Sequence, residues 1–505
     1  MLNPLPAGKW NYTTAAHLFN RAGFGGTPSE IESLLKLGPE KAVSHFVDYE
    51  KIPDETAPPD WAKPDSDLMT KLQIARKIGE EMRAAKSDEE RRKLDMQRRE
   101  MVREEQKKQG MQILDLRGWW LKKMTQGQRP LQEKLTLFWH GHFATSVQKV
   151  KYSYFMYLQN QTFRKLASGN WQALLEAMAQ DPAMLIWLDQ AQSRKEHPNE
   201  NFARELMELF ALGEGHYTEK DVTEAARALT GFSLSREKQG FQYRPFFHDD
   251  GIKTFLGRTE KLDGRDVLEQ IVEQPQSAKF ISAKLWTFFA SENPAKALVE
   301  SLATVFRKNG NEFKPLLRAL FRSEEFYSDS VIRNQVKSPV QWLVGSTRLL
   351  ERDLPAPLVS SVLLRQLGQE LFAPPNVKGW DGGLSWITTN NLLTRYNQAA
   401  LLVLSQVPIT SEAGEKKKFR MIAERAKEMA GKMPVVDVSK ILSETERKNK
   451  EALMPALEKR FLQTNLKEKQ RLVLRDFLES RGELDDGDIR QTIRLLMSTP
   501  EYQLT

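Results

Sequence analysis

The chain has 505 residues, a formal net charge of +8 and no cysteine, with 40% hydrophobic and 28% charged residues. This length exceeds what one hydrophobic core supports, so we expect several packed units, and the composition excludes a disordered or membrane-embedded protein. The lack of cysteine excludes disulfides and thiolate chemistry, so any metal would be bound by His, Asp or Glu.

The basic residues, 75 against 67 acidic ones, are spread along the chain without a dense tract. A nucleic-acid partner is therefore not favoured. No apolar stretch approaches the roughly 18 residues of a membrane span, so we expect no membrane span. The first residues carry no basic region followed by an apolar one, which favours either a cytoplasmic protein or a mature form whose signal was removed.

Helical periodicity dominates, as at Ile31, Leu34 and Leu35, and strand-like alternation is scarce. We expect a mostly α-helical, multi-helical globular protein with a long surface helix and few short strands or hairpins. Composition divides the chain into an N-terminal helical segment, a charged long helix, a central helical core with the candidate site and a charged helical C-terminal unit, at residues 1–65, 66–110, 111–405 and 411–505.

Residues 68–109 alternate acidic and basic side chains at spacings of three and four, which predicts one long solvated helix. This helix could be a coiled-coil arm for partners or dimerisation, or a surface helix packed on one side. Sustained apolar heptads are missing, which favours the second alternative.

Two histidines lie one residue apart in the aromatic segment 138–143 (FWHGHF). Neutral imidazole is the commonest metal ligand, and His140 and His142 are therefore candidate ligands of a divalent metal held by His and carboxylate. In a continuous helix the two side chains point about 200° apart, so they could share an ion only if Gly141 breaks the helix. The alternative is a pair of structural, hydrogen-bonding histidines.

Residues 199–209 (NENFARELMEL) predict a helix with an apolar stripe and an opposite polar stripe. The polar stripe is either a solvated surface with an ion pair or the wall of a functional site. In the second interpretation Glu205 and Glu208 are catalytic carboxylates, and Arg204 and Asn201 contact the ligand. A di-iron site is disfavoured because the Glu-x-x-His pattern is absent.

Residues 247–251 (FHDDG) predict a turn or short hairpin together with the segment that follows. His248 beside Asp249 could act as a base with a neighbouring carboxylate, and we count both as candidate catalytic residues. His248 could also converge with His140 and His142 as a third ligand. A surface turn is the alternative.

Residues 374–386 (PPNVKGWDGGLSW) are too rich in Gly and Pro for a helix. Trp380 and Trp386 beside Asp381 and Asn376 combine flat apolar faces with polar groups, as expected of a ligand-binding loop at the rim of a cleft. The alternative is a loop that buried tryptophans fix to the core.

Neither a Walker loop, a Rossmann fingerprint, a Gly-x-Ser-x-Gly elbow nor His-Glu-x-x-His is present in the sequence. The chain instead resembles the bacterial family called domain of unknown function 1800. The segments that carry the resemblance follow one another over nearly the whole chain: 17–25 (HLFNRAGFG), 139–143 (WHGHF), 199–209, 225–231 (AARALTG), 248–249 (HD) and 379–386 (GWDGGLSW).

The resemblance implies no established activity. It implies that relatives are often exported, and that they are often encoded beside a protein of domain of unknown function 1501, which is similar to sulfatases and alkaline phosphatases. This sequence departs from the pattern in lacking a visible export signal and in having Gly141 where Asn is common.

We therefore expect a polar central cleft formed by the His140/His142, 200–208 and His248 segments. It would bind or act on an anionic or carbohydrate-like ligand, for example as a metal-assisted hydrolase. The alternative is a non-enzymatic binding or assembly protein, a companion of a secreted sulfatase- or phosphatase-like partner. The substrate, the reaction type, the oligomeric state and the compartment stay open.

Overall fold

A computed structural model describes residues 2–54, 56–235, 237–406 and 417–505. Within these ranges the chain forms 25 α-helices and two small antiparallel sheets, which confirms the predicted mostly α-helical fold. No described helix combines the length and the hydropathy that crossing a membrane requires.

The chain begins with three helices, α1 (Tyr12–Ala22), α2 (Pro28–Lys36) and α3 (Gly38–Val47). The start of α2 is fixed by a capping box, in which the Thr27 side chain accepts a hydrogen bond from the Glu30 amide and the Glu30 carboxylate accepts one from the Thr27 amide. Such a cap satisfies amides that have no partner within the helix.

The charged segment forms two helices, α4 (Leu68–Ala84) and α5 (Asp88–Gln126), where we predicted one. The break lies before Ser87, whose side chain caps α5 by accepting from the Glu90 amide. The end of α5 lies within the core, where Trp120 is fully buried. The prediction of a single helix ending near residue 109 is thus wrong, because α5 crosses from solvent into the core.

The central region contains seven helices before the strands. They are α6 (Pro130–His142), α7 (Val147–Val150), α8 (Ser153–Lys165), α9 (Trp171–Ala179), α10 (Pro182–Trp187), α11 (Glu200–Glu205) and α12 (Glu219–Ala228). A π-helix, Leu206–Ala211, continues α11.

Two antiparallel hairpins follow, β1 (Phe232–Ser235) with β2 (Gly240–Tyr243) and β3 (Lys253–Phe255) with β4 (Arg258–Glu260). In the second, Thr254 pairs with Thr259. The hairpin expected after residue 251 is confirmed.

The remaining helices are α13 (Gly264–Glu273), α14 (Pro275–Phe289), α15 (Lys296–Lys308), α16 (Phe313–Arg322), α17 (Pro339–Leu349), α18 (Pro357–Gln366), α19 (Thr389–Leu404), α20 (Lys417–Ala430), α21 (Glu444–Lys448), α22 (Lys450–Leu457), α23 (Glu468–Glu479), α24 (Asp486–Met497) and α25 (Pro500–Gln503). Short 3-10 helices occupy Ala7–Lys9, Tyr49–Lys51, Gln190–Gln192, Pro245–Phe247, Glu324–Tyr327, Gly383–Ile387 and Val438–Lys440, and a second π-helix spans Glu458–Leu462.

The buried apolar residues form two cores. One takes most of its members from residues 5–331, and the other from the end of α5 and residues 340–502. Helix α6 contributes to both, with Leu135 in the first and Leu137 in the second. The predicted boundary at residue 110 falls inside α5, and the predicted start of the last unit at residue 411 lies outside the described residues.

Candidate ligand-binding cavity

A cavity of about 350 Å³ lies where α6, α14, the start of α17 and the loop of residues 374–386 meet. It borders both cores. The lining side chains are mixed in character and include Lys134, Leu137, Phe138, His142, Lys284, Thr287, Phe288, Glu292, Gln335, Ser338, Gln341, Gln369, Val377, Lys378, Trp380, Asp381 and Trp386.

One stripe of α6 forms a wall of this cavity. Lys134, Leu137, Phe138, Gly141 and His142 all line it. Their spacings of three, four, seven and eight residues place them on the same face of a helix with 3.6 residues per turn. The helix therefore presents one cation within an otherwise apolar and aromatic stripe.

Lys134 is the unusual member of this stripe, because it is only 4% exposed. Its ammonium lies 5.1 Å from the ring centre of Phe24 and 5.7 Å from that of Phe288. It has no hydrogen bond or ion pair with any described residue. Burial, reinforced by the positive charge of Arg21, lowers the pKa of Lys134 to about 7. A buried amine without an acceptor is costly, and it is available to a ligand.

Arg21 supplies a fixed positive charge behind the cavity. Its guanidinium donates to the carbonyls of Ala290 and Val331, each at 2.9 Å, and to the side chain of Gln335, which itself lines the cavity. The two terminal nitrogens of Arg21 thus already have partners, whereas its buried Nε has none. The acidic residues of the lining, Glu292 and Asp381, are exposed, so the buried end of the cavity is cationic.

His140 and His142 lie on α6, which continues to residue 142, so their rings point to different sides. Nε2 of His140 accepts from the Phe372 amide at 2.9 Å, whereas Nε2 of His142 donates to the Phe210 carbonyl at 2.9 Å. Burial lowers the pKa of each to about 3, so both imidazoles are neutral. The intact helix excludes the break at Gly141 that a shared ion required.

The expected convergence of His140 and His142 with His248 is not observed. Across the described part of the chain, no group of three or more His, Asp or Glu side chains is placed to hold a metal ion. His248 lies elsewhere, with Nδ1 donating to the Thr230 carbonyl at 3.0 Å. A divalent metal bound by His and carboxylate is therefore not supported.

The loop of residues 374–386 lies directly on α6. Gly379, with φ of +87°, packs against the backbone of Gly141, and the Trp380 ring lies 5.4 Å from the His140 ring. Trp380 is half-buried, Trp386 is 7% exposed, and both line the cavity together with Asp381. The loop therefore forms one side of the cavity, while its contact with a ligand stays a prediction.

All residues that line the cavity lie within the part of the chain that matches a known family. A family model described as protein of unknown function (DUF1800) matches residues 17–504. The chain belongs to this family. No curated protein and no solved structure matches it. Membership of the DUF1800 family names no activity, and the geometry of the site is therefore the basis on which a function is inferred.

In this DUF1800 chain the two carboxylates predicted to be catalytic, those of Glu205 and Glu208, lie near the cavity but do not line it. Glu208 accepts from the Tyr217 hydroxyl at 3.0 Å. Partial burial and the charge of Glu208 raise the pKa of Glu205, and Lys378 of the loop opposes that rise. Lys378 and Leu209 line the cavity, so Glu205 lies near its rim. A catalytic role of the two carboxylates stays a prediction.

Three of the other predicted site residues, Arg204, His248 and Asp249, have hydrogen-bond partners within the protein. Arg204 makes two hydrogen bonds of 2.7 Å to Glu219, and Asn201 is exposed. Asp249 accepts from Arg227 at 2.8 Å. None of these four residues lines the cavity. That Arg204 and Asn201 contact a ligand, and that His248 and Asp249 are catalytic, therefore remain predictions.

A larger cavity of about 530 Å³ lies between the 61–68 segment, α5 and the start of α8. Its partly buried charged groups pair with one another, whereas Lys63 and Asp67 are exposed. Asp65 accepts from Lys71 at 2.8 Å and from Lys108 at 3.1 Å, and Glu105 accepts from Lys71 at 3.1 Å. These pairs leave no buried charged group of this lining without a partner, which is why the Lys134 cavity is the better candidate.

Proposed function

We propose that the Lys134 cavity binds a small organic anion, a sugar phosphate or sugar acid, whose ring lies against Trp380. The observation that carries this proposal is the buried Lys134 ammonium, which lines the cavity and has no acceptor among the described residues. A phosphate or carboxylate would supply that acceptor through a charge-assisted hydrogen bond, one of the stronger polar interactions in proteins.

Size and shape support the same class of ligand. A volume of about 350 Å³ is at the small end of ligand sites, which span roughly 300–1,000 Å³, and suits a single sugar-sized ring. Indole faces such as that of Trp380 bind apolar ring faces. The exposed Lys284 and Lys378 at the mouth add positive charge that attracts anions as they approach.

Calorimetric titration with glucose 6-phosphate and glucuronate tests the proposal, and glucose serves as the neutral comparison. Both anions are expected to bind more tightly than glucose. Lys134→Met should weaken anion binding by at least about tenfold, equivalent to roughly 1.4 kcal/mol. Lys284→Met is the matched control and should weaken it less, because that lysine is exposed to water. Equal binding by wild type and Lys134→Met contradicts the proposal.

A second candidate function is hydrolysis of the bound anion, with Glu205 as the general acid. Its support is the pair of neighbouring carboxylates, Glu205 and Glu208, near the rim of the cavity, where partial burial and the charge of Glu208 raise the pKa of Glu205 in the direction that favours a general acid. Glu205→Gln should then abolish turnover while leaving anion binding within about twofold. Loss of binding in that variant would instead assign Glu205 to the architecture of the rim.

We also propose that the chain binds a protein of domain of unknown function 1501, the partner that the resemblance implies. In this interpretation the chain is a binding companion and the partner carries out the chemistry. Co-purification of the tagged chain with the product of the adjacent gene, at equal stoichiometry, is the expected result. Recovery of the chain alone from cells that contain both proteins contradicts it.

A further inference from the structure

We infer that Lys134 is a nucleophilic amine that forms an imine with a 2-oxo acid bound in the cavity. The inference rests on the proposed function, because the 2-oxo acid must enter the same cavity as the anions proposed above. It adds a covalent step and a narrower class of ligand.

The surroundings of Lys134 favour the neutral amine, the only form that attacks a carbonyl group. Two aromatic rings, those of Phe24 and Phe288, flank the nitrogen, and the guanidinium of Arg21 is the charge that acts on it. The acidic groups of the lining are exposed and bring no buried negative charge to it. Desolvation of a lysine beside a second cation is an established way to activate its amine.

Lys337 shows why the cavity matters. Its side chain is half-buried, its ammonium lies 3.9 Å from the centre of the Tyr502 ring, and its pKa is lowered by burial and by the charges of Arg333 and Arg395. However, it borders a void of only about 20 Å³, too small for any organic ligand. Both lysines are desolvated, but only Lys134 borders a space that a substrate-sized molecule can occupy.

The class of carbonyl compound follows from where the positive charges lie. The two terminal nitrogens of Arg21 are already engaged by Ala290, Val331 and Gln335, and the other lining cations, Lys284 and Lys378, are exposed at the mouth. An anionic group at the buried end of the cavity must therefore lie next to the Lys134 nitrogen, where the reacting carbonyl group also lies. A 2-oxo acid meets this requirement, because its carboxylate is bonded to the carbonyl carbon.

The step balances without an oxidant or reductant. The Lys134 nitrogen forms a bond to the carbonyl carbon, and the carbonyl π electrons move to oxygen, which takes a proton from the nitrogen. Loss of that hydroxyl with a second proton as one water molecule leaves the imine. When the imine is protonated, the adjacent carboxylate of the ligand neutralises its charge, which a site of low polarity requires.

Reductive trapping tests the inference with pyruvate as the probe. The folded full chain is incubated with pyruvate at neutral pH, sodium borohydride reduces any imine to a stable secondary amine, and peptide mass spectrometry locates it. An exposed lysine with an ordinary pKa of about 10.4 is neutral in fewer than about one molecule in a thousand at this pH. The adduct should therefore form at Lys134 at least about a hundredfold faster than at exposed lysines.

Lys134→Arg should abolish this adduct, because a guanidinium forms no imine under these conditions, whereas Lys337→Arg should leave it unchanged. If Lys134→Arg does not fold, competition in the wild type replaces it, and glucuronate should block trapping. Calorimetry with pyruvate separates the two proposals. Binding of pyruvate without trapping at Lys134 overturns the imine but not anion binding. Absence of pyruvate binding also overturns the imine, and the glucuronate titration then decides anion binding separately.

Discussion

The backbone of Gly379 lies so close to the carbonyl oxygen of Gly141 that a Cβ atom on residue 379 would overlap that oxygen. This approach fixes the loop of residues 374–386 onto α6 and thereby places Trp380 beside His140. Gly379 also has φ of +87°, a conformation that only glycine adopts without strain. The position of the loop on α6 therefore depends on glycine at residue 379, whereas a Cβ atom on Gly141 would lie in ordinary contact, 3.8 Å from the Trp380 ring.

Gly379→Ala should destabilise the protein and weaken anion binding together. The left-handed φ alone costs about 1–2 kcal/mol for a residue with a side chain, and displacement of the loop adds to that. Gly215→Ala is the matched control, since φ is +80° there but a Cβ would meet no described atom within 4 Å. Denaturant unfolding should show a larger loss for Gly379→Ala, and equal losses in the two variants would contradict the close approach.

The two tryptophans of the loop should separate stability from binding. Trp386 is 7% exposed, so Trp386→Ala should lower the free energy of unfolding by about 3–5 kcal/mol. Trp380 is half-buried with one face at the cavity, so Trp380→Ala should cost less stability and more affinity. Thermal unfolding beside calorimetry with glucuronate measures both. A large loss of stability with unchanged affinity in Trp380→Ala would assign that residue to packing.

The fold class and several local features could be predicted from the sequence because they depend on local spacing. The helix start at Thr27 and the turn after residue 251 are examples. The break before Ser87 was missed, since charges at spacings of three and four continue across it and do not mark a turn.

The site was predicted only in part. The loop of residues 374–386 was identified from its composition, but Lys134 was missed, because a single lysine in a helix is normally a solvated residue. The available signal was its position three, four and seven residues before Leu137, Phe138 and Gly141, on a stripe without other charges. That a cavity lies against this stripe depends on the later helix α14, and no local pattern reveals it.

His140 is expected to be a structural residue. His140→Ala leaves the buried Phe372 amide without its acceptor and removes a ring packed against Trp120. These losses should lower the free energy of unfolding by about 2–4 kcal/mol. Added chelator or zinc should not change the melting temperature of the wild type. A chelator-sensitive melting temperature that His140→Ala abolishes would restore the metal interpretation.

The effect of Lys134 on stability should depend on pH. Its folded pKa of about 7 lies below the unfolded value near 10.4, so between these values the unfolded chain binds more protons. Wild-type stability therefore gains up to roughly 1.4 kcal/mol per pH unit across this window from Lys134. Lys134→Met lacks this titration. The variant should therefore be more stable than the wild type at or below pH 7, and this difference in the free energy of unfolding should shrink toward pH 10.

Lys123→Met is the matched control for that series. Lys123 is also buried, but its ammonium donates to Asp54 at 2.7 Å. Removal of this lysine leaves Asp54 without its partner, so the variant should be less stable than the wild type at neutral pH. Denaturant unfolding over the pH series measures both differences. A Lys134→Met variant that is destabilised at pH 6, as Lys123→Met is expected to be, would show that Lys134 has a partner.

The most direct test of the central claim is the pKa of Lys134 itself, measured by NMR titration of protein carrying ¹³C-labelled lysine. The signal is assigned by its loss in Lys134→Arg. In the free protein the pKa should be about 7, and saturating glucuronate should raise it, because the bound carboxylate stabilises the ammonium. A pKa near the ordinary 10.4 that glucuronate does not change would contradict both the unpaired amine and its role as the anion-binding group.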